Sequence, residues 1–181
     1  ATAEAQENVA LQVADQMADF LLTGAVSNAI NMPSVTAEEA PRLKPYMELA
    51  RLLGGMAGQL TAAQDGAIKA IHVEYEGAVA ELNLKPLTAA ALAGVLTPLM
   101  GAVNMVNAPV LAKQRGIEVG ETTLERSGEY QTLVRLTVVT DRFERAIAGT
   151  LVAENKPRLV AIKDIAVEAD FSPHMLYVTN Q

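Results

Sequence analysis

The chain has 181 residues with 14 basic and 21 acidic side chains, a net charge of −7 and no cysteine. That length suits one domain, or one domain and a fragment of another. Disulfides and thiolate chemistry are excluded, and the acidic balance argues against nucleic-acid or anionic-membrane partners.

Half the residues are hydrophobic but only 4% are aromatic, so the core must be built from Ala, Val, Leu and Ile. No apolar run approaches the roughly 20 residues of a membrane helix. The first residues show neither a basic leader nor a cleavable apolar stretch, and the expectation is a cytoplasmic protein.

Residues Ala3 to Leu22 predict one amphipathic helix. Val9, Val13, Met17 and Phe20 recur at helical spacing, with Thr2 as N-cap and Gly24 as terminator. Its stripe needs a partner. After the connection Asn31 to Ser34, Thr36 and Glu39 form a T-x-x-E capping box. Pro41 and Pro45 argue against one uninterrupted helix, so a turn is expected and then a helix from Pro45. Its stripe is Tyr46, Leu49, Leu53, Met56 and Leu60, and Gly54, Gly55 and Gly58 suggest close packing against a sheet.

Ala67 to Gly77 switches to period two, with Ile71, Val73 and Tyr75 on one face and His72, Glu74 and Glu76 on the other. A short strand is expected over Val79 to Leu82, then an Ala-rich helix from Thr88 to Met100 interrupted by Pro98. Asn107 is read as the cap of a further short helix, with Pro109 in its first turn and Gly116 just past its end. The second half reads as strands: Ile117 to Thr123, Leu133 to Thr140, Glu144 to Val152, Arg158 to Ile162, Ile165 to Glu168 and a last strand Met175 to Thr179. The sum predicts an α+β fold, a two-layer sandwich with helices on one face of a mostly antiparallel sheet.

Chemistry-bearing patterns are few. His72 and His174 are the only histidines, and neither has a nucleophile or a second ligand at metal spacing. Gly54-Gly55-x-x-Gly58 does not follow a strand, so it is not a phosphate loop. Arg135, Arg142, Arg145, Lys156, Arg158 and Lys163 fall in the strand-rich half. Two or three of them converging on a sheet edge would hold a phosphate or carboxylate; otherwise they are ordinary surface charges.

The wording of the sequence adds to this. Pro86 to Leu96 (PLTAAALAGVL) and Val103 to Ile117 (VNMVNAPVLAKQRGI) resemble the intervening domain of long-form D-3-phosphoglycerate dehydrogenases. Ala1 to Ala10, Thr23 to Pro33, Ala148 to Leu151 and His174 to Asn180 extend the likeness to nearly the whole chain. The resemblance implies three parts: residues 1–30 as a trailing helix and linker of the catalytic domain, 31–172 as the intervening domain, and 173–181 as the opening strand of an ACT domain. It implies a parent enzyme that oxidises 3-phosphoglycerate with NAD in serine synthesis, while this segment carries no catalytic residue and binds no cofactor or metal. Its implied work is regulation and assembly of a homo-oligomer. The alternatives are an anion-sensing module for phosphate or phosphoglycerate, or a pure oligomerisation spacer. Arg158 matches a basic position of the family's anion site, whereas the family's G-R-H-F-D-L-R run is replaced by Asp164 to Ala169, leaving Lys163 as the candidate substitute.

Overall fold

The structure is a computed structural model that describes residues 2–64, 66–125 and 128–178. The chain order is α1 (Ala3–Thr23), α2 (Ala40–Ala62), β1 (Ile68–Gly77), a 3-10 turn (Ala78–Glu81), α3 (Leu84–Met100), α4 (Ala108–Gln114), β2 (Glu118–Leu124), β3 (Thr132–Thr140), β4 (Glu144–Val152), a second 3-10 turn (Ala153–Asn155), β5 (Lys156–Ile162) and β6 (Ile165–Asp170). The six strands form one sheet in the order β2-β1-β3-β4-β5-β6. Every neighbouring pair is antiparallel except β1 with β2, whose crossover runs through α3 and α4. This is the expected α+β architecture.

The period-two strands place their apolar sets on the face that α2 and α3 cover. Ile71, Val73 and Tyr75 of β1 are fully buried, as are Leu136, Val138 and Ile147 in the next two strands. Leu49, Leu53 and Ala57 of α2 and Leu87, Val95 and Leu96 of α3 close on them. The expected stripe of α2 faces this core, with Leu49 and Leu53 fully buried and Tyr46, Met56 and Leu60 packed against it at the partly buried margin.

α1 begins at Thr2, whose hydroxyl accepts from Ala5 N at 3.4 Å, and stops at Gly24 with φ 80°. None of its residues is buried; Met17 is 61% exposed and Leu21 77%. Its apolar stripe faces solvent here.

Six expectations are corrected. α2 starts at Ala40 rather than Pro45, because both prolines lie in its opening turns and the capping box leads directly into it. Thr36 N donates to Glu39 Oε2 at 3.0 Å, Glu39 N donates to Thr36 Oγ1 at 3.2 Å, and Ala40 N reaches Thr36 O at 2.9 Å. Gly54 and Gly58 face α3, not the sheet: a Cβ on either would strike the backbone carbonyl of Ala91 or Val95. The segment Val79 to Leu82 is a 3-10 turn, since Gly77 with φ 74° swings the chain out of the β1 ladder and Ala78 N bonds Gln131 O instead. α3 begins four residues earlier than expected and runs through Pro98 to Met100. Met175 to Val178 carry no strand, because no neighbouring edge pairs with them; Thr179 lies outside the described residues. Asn107, finally, does not cap α4. It and Asn104 exchange side chain–backbone bonds, Asn104 N to Asn107 Oδ1 at 2.8 Å and Asn107 N to Asn104 Oδ1 at 3.0 Å.

Candidate functional site

The sheet's second face has no helix over it among the described residues, and two basic residues of the strand half lie on it. Arg135 and Ala148 are register partners, as are Thr150 and Arg158, so Arg135 and Arg158 point to the same open face. They stand two strands and two positions apart, roughly 12 Å between Cα atoms. Each has its own carboxylate. Arg135 Nε lies 3.6 Å from Glu74 Oε2 across the β1–β3 pair. Arg158 donates Nη2 and Nε to Asp170 Oδ1 at 2.8 and 3.2 Å across the β5–β6 pair.

Lys163 occupies the β5–β6 turn with φ 55°, exposed, its N–H bonded to Ala146 O at 2.7 Å. It lies five positions beyond Arg158, roughly 16 Å along the strand, which exceeds what one small anion can bridge. The two predicted site residues are therefore not brought together. Lys156 pairs with Glu154 at 2.8 Å, and Arg142 is exposed in the β3–β4 turn.

Arg145 behaves differently from the others. It faces the helix side and is 4% exposed, with Nη2 donating to Gln64 Oε1 at 3.0 Å and the guanidinium 5.3 Å from the Phe143 ring centroid. Its Nε has no hydrogen-bond partner and no carboxylate pairs with it among the described residues. The end of α2, two residues before Gln64, lies nearby, and its carbonyl-rich terminus offsets part of the buried charge. Arg145 is thus neither an edge residue converging on an anion nor an ordinary surface charge; its place on the buried side of the β4 alternation is the signal that the sequence offers.

The remaining polar groups are structural. His72 packs over Gly120, where an added Cβ would collide with its ring. Tyr75 and Thr88 share a buried hydroxyl–hydroxyl bond of 2.8 Å, and burial drives the Tyr75 phenol well above its ordinary pKa. No group of three or more His, Asp or Glu residues among those described could hold a metal ion. The glycines that most resemble a phosphate loop are spent on the α2–α3 crossing, so nothing in them fits a dinucleotide.

An open cleft of about 660 Å³ remains, between α3, α4 and β2. Leu92 and Ile117 form part of its floor, and Lys85, Lys113, Glu118 and Glu121 stand around it.

With the geometry in place, likeness to known proteins decides the family. Residues 42–163 match the D-3-phosphoglycerate dehydrogenase intervening domain. The chain belongs to that family. It is 31% identical over 181 residues to D-3-phosphoglycerate dehydrogenase of Bacillus subtilis, covering 99% of this chain and 34% of that protein. It is 34% identical over 182 residues to the Synechocystis protein of the same name (99% of this chain, 32% of that one) and 32% identical over 173 residues to the Methanocaldococcus jannaschii protein (95% and 32%). The chain thus spans about a third of the length of the curated relatives it matches. No helix in the described residues is long and apolar enough to cross a membrane.

Proposed function

We propose that this chain is the regulatory and assembly segment of an NAD-dependent D-3-phosphoglycerate dehydrogenase, the enzyme that oxidises 3-phosphoglycerate to 3-phosphohydroxypyruvate in serine synthesis. The carrying observation is the match of residues 42–163 to the intervening domain, within relatives that carry that enzyme's name. In this reading NAD and the reacting groups belong to the rest of the polypeptide, which works in the cytoplasm as a homo-oligomer. The exposed stripe of α1 supports an assembly role, because Val9, Val13, Met17 and Leu21 gain most by being covered. The test deletes residues 31–172 from the whole enzyme. Turnover should persist while subunit association or effector response changes. A deletion that leaves both unaltered refutes the regulatory and assembly role, and NAD-dependent turnover by the 181-residue chain alone refutes the non-catalytic assignment.

A second reading has its own observation. Arg158 presents a guanidinium on the open face, two-thirds covered and held by a mostly exposed Asp170. A phosphate or phosphoglycerate anion would compete with Asp170 for the same two N–H groups. Calorimetric titration with 3-phosphoglycerate should give heat in the wild type, more affinity in Asp170→Asn and none in Arg158→Ala. No heat in the wild type removes the idea.

A further inference from the structure

The cleft between α3, α4 and β2 lies on the helix side of the sheet, opposite Arg158, and no role has been assigned to it. Its volume of about 660 Å³ is that of a small-molecule site. Val119 and Glu121 are register partners of the buried Ile71 and Val73, so both point toward the helix layer. Neither is buried, since α3 and α4 stop short of β2. The result is a trough with a buried apolar floor (Leu92 2% exposed, Ile117 7%) and charged walls.

Those charges are exposed and free to meet a ligand. No ion pair joins Lys85, Lys113, Glu118 or Glu121 to any partner among the described residues. Lys85 is the second residue of α3, a cation placed at the positive end of a helix macrodipole. Nothing in α3 itself compensates that end: its first turn holds no acidic residue, and the Asn83 side chain donates to Ser34 O at 3.0 Å instead of capping. Glu121 also lines the cleft, close enough to the buried Tyr75 to act on its phenol, and Tyr75 bonds the hydroxyl of Thr88, one turn along α3 from Lys85. A simple anion would meet Glu121, and a simple cation would meet Lys85 and the helix terminus. A zwitterion satisfies both.

We propose that the cleft binds a free α-amino acid with a large apolar side chain. Its carboxylate lies at Lys85 and the α3 N-terminus, its ammonium at Glu121, and its side chain over Leu92 and Ile117. The idea does not rest on anion binding at Arg158 and fails or stands separately from it.

The test is methyl NMR of the 181-residue chain titrated with L-leucine and with its two halves, 4-methylpentanoate and 3-methylbutylamine. Leucine should shift the Leu92, Ile117 and Val119 methyl signals, and each half should bind about threefold or more weakly, the scale of one exposed ion pair. L-Serine should leave these signals in place. Lys85→Gln should erase leucine's advantage over the amine and Glu121→Gln its advantage over the acid, with methyl signals outside the cleft unmoved as the check on folding. The proposal is overturned if leucine at tens of millimolar shifts nothing in the cleft, if either half binds as well as leucine, or if serine binds equally.

Discussion

Replacing Gly94 by alanine probes the α2–α3 crossing on which the helix layer depends. A Cβ at this position would strike Arg51 O, with Gly55 N at 2.7 Å and the Gly54 carbonyl carbon at 2.9 Å. All three are backbone atoms, so no rotamer can yield, and ordinary contact resumes only at 3.4 Å. The helices must therefore part by roughly 1 Å, which forfeits a quarter to a half of the attraction between atoms at the crossing. Overpacking of this kind costs about 1–3 kcal/mol, and the loosened interface adds about 1 more. Against this, alanine gains about 1 kcal/mol in helix propensity over glycine. The net expectation is a loss of about 2 kcal/mol, or about 4–8 °C in Tm for a chain of this size. Gly55 is the built-in control, because a Cβ there meets nothing within 4 Å. Gly55→Ala should stabilise by about 0.5–1 kcal/mol through propensity alone. Urea denaturation followed by circular dichroism reads both. Equal effects at the two positions, or a Gly94→Ala protein as stable as wild type, would refute the account of the crossing.

Three further outcomes follow from other contacts. Tyr75→Phe leaves the Thr88 hydroxyl buried and alone and should cost about 1–3 kcal/mol in a denaturant melt, whereas Tyr75→Phe with Thr88→Val should recover most of that loss. Glu39 has its pKa lowered by the Thr36 backbone and side-chain hydrogen bonds, so its contribution is present above the ordinary glutamate value and disappears as pH falls through the folded one. Thermal melts between neutral and acid pH should show this component in the wild type and lack it in Glu39→Gln. Arg145→Met should change stability by no more than about 1 kcal/mol in either direction, since it removes a buried charge that has no carboxylate and an unpaired Nε; a loss of several kcal/mol in the same melt would mean the guanidinium is better satisfied than its contacts indicate.

Most of the architecture is readable from local pattern. β3 alternates cleanly, and β1 does from Ile71 onward, because one of their faces is buried and the other partly open, and the Thr36–Glu39 box is legible because both of its bonds span three residues. The errors arise where local pattern is silent on tertiary facing. The glycines of α2 announce a close approach, but whether a sheet or a helix approaches depends on where α3 lies. The Val79 to Leu82 segment is too short and apolar to separate a strand from a buried turn. At the candidate site the limit is register. Arg158 meets Asp170 only after a shift between Leu159 and Ala161, and no spacing rule anticipates which carboxylate will neutralise it. The cleft draws on residues from Asn31 to Glu121, so no single stretch of sequence carries its signature.

The single parallel pair sets β2 apart. It joins the sheet only through β1, contributes no buried residue of its own, and is tethered by the seven-residue α4. Detaching β2 and α4 together would expose the flank of β1 and the buried Ala108, Ala112 and Ile117, but leave the α2–α3 crossing and the other five strands paired. β2 is thus an edge strand with little burial of its own, and amide exchange should be faster among the β1–β2 ladder bonds than at the centre of β3. Any molecule that bridges the cleft from α3 to β2 would bind across this weak seam, and its affinity would be read directly as slowed exchange along β2.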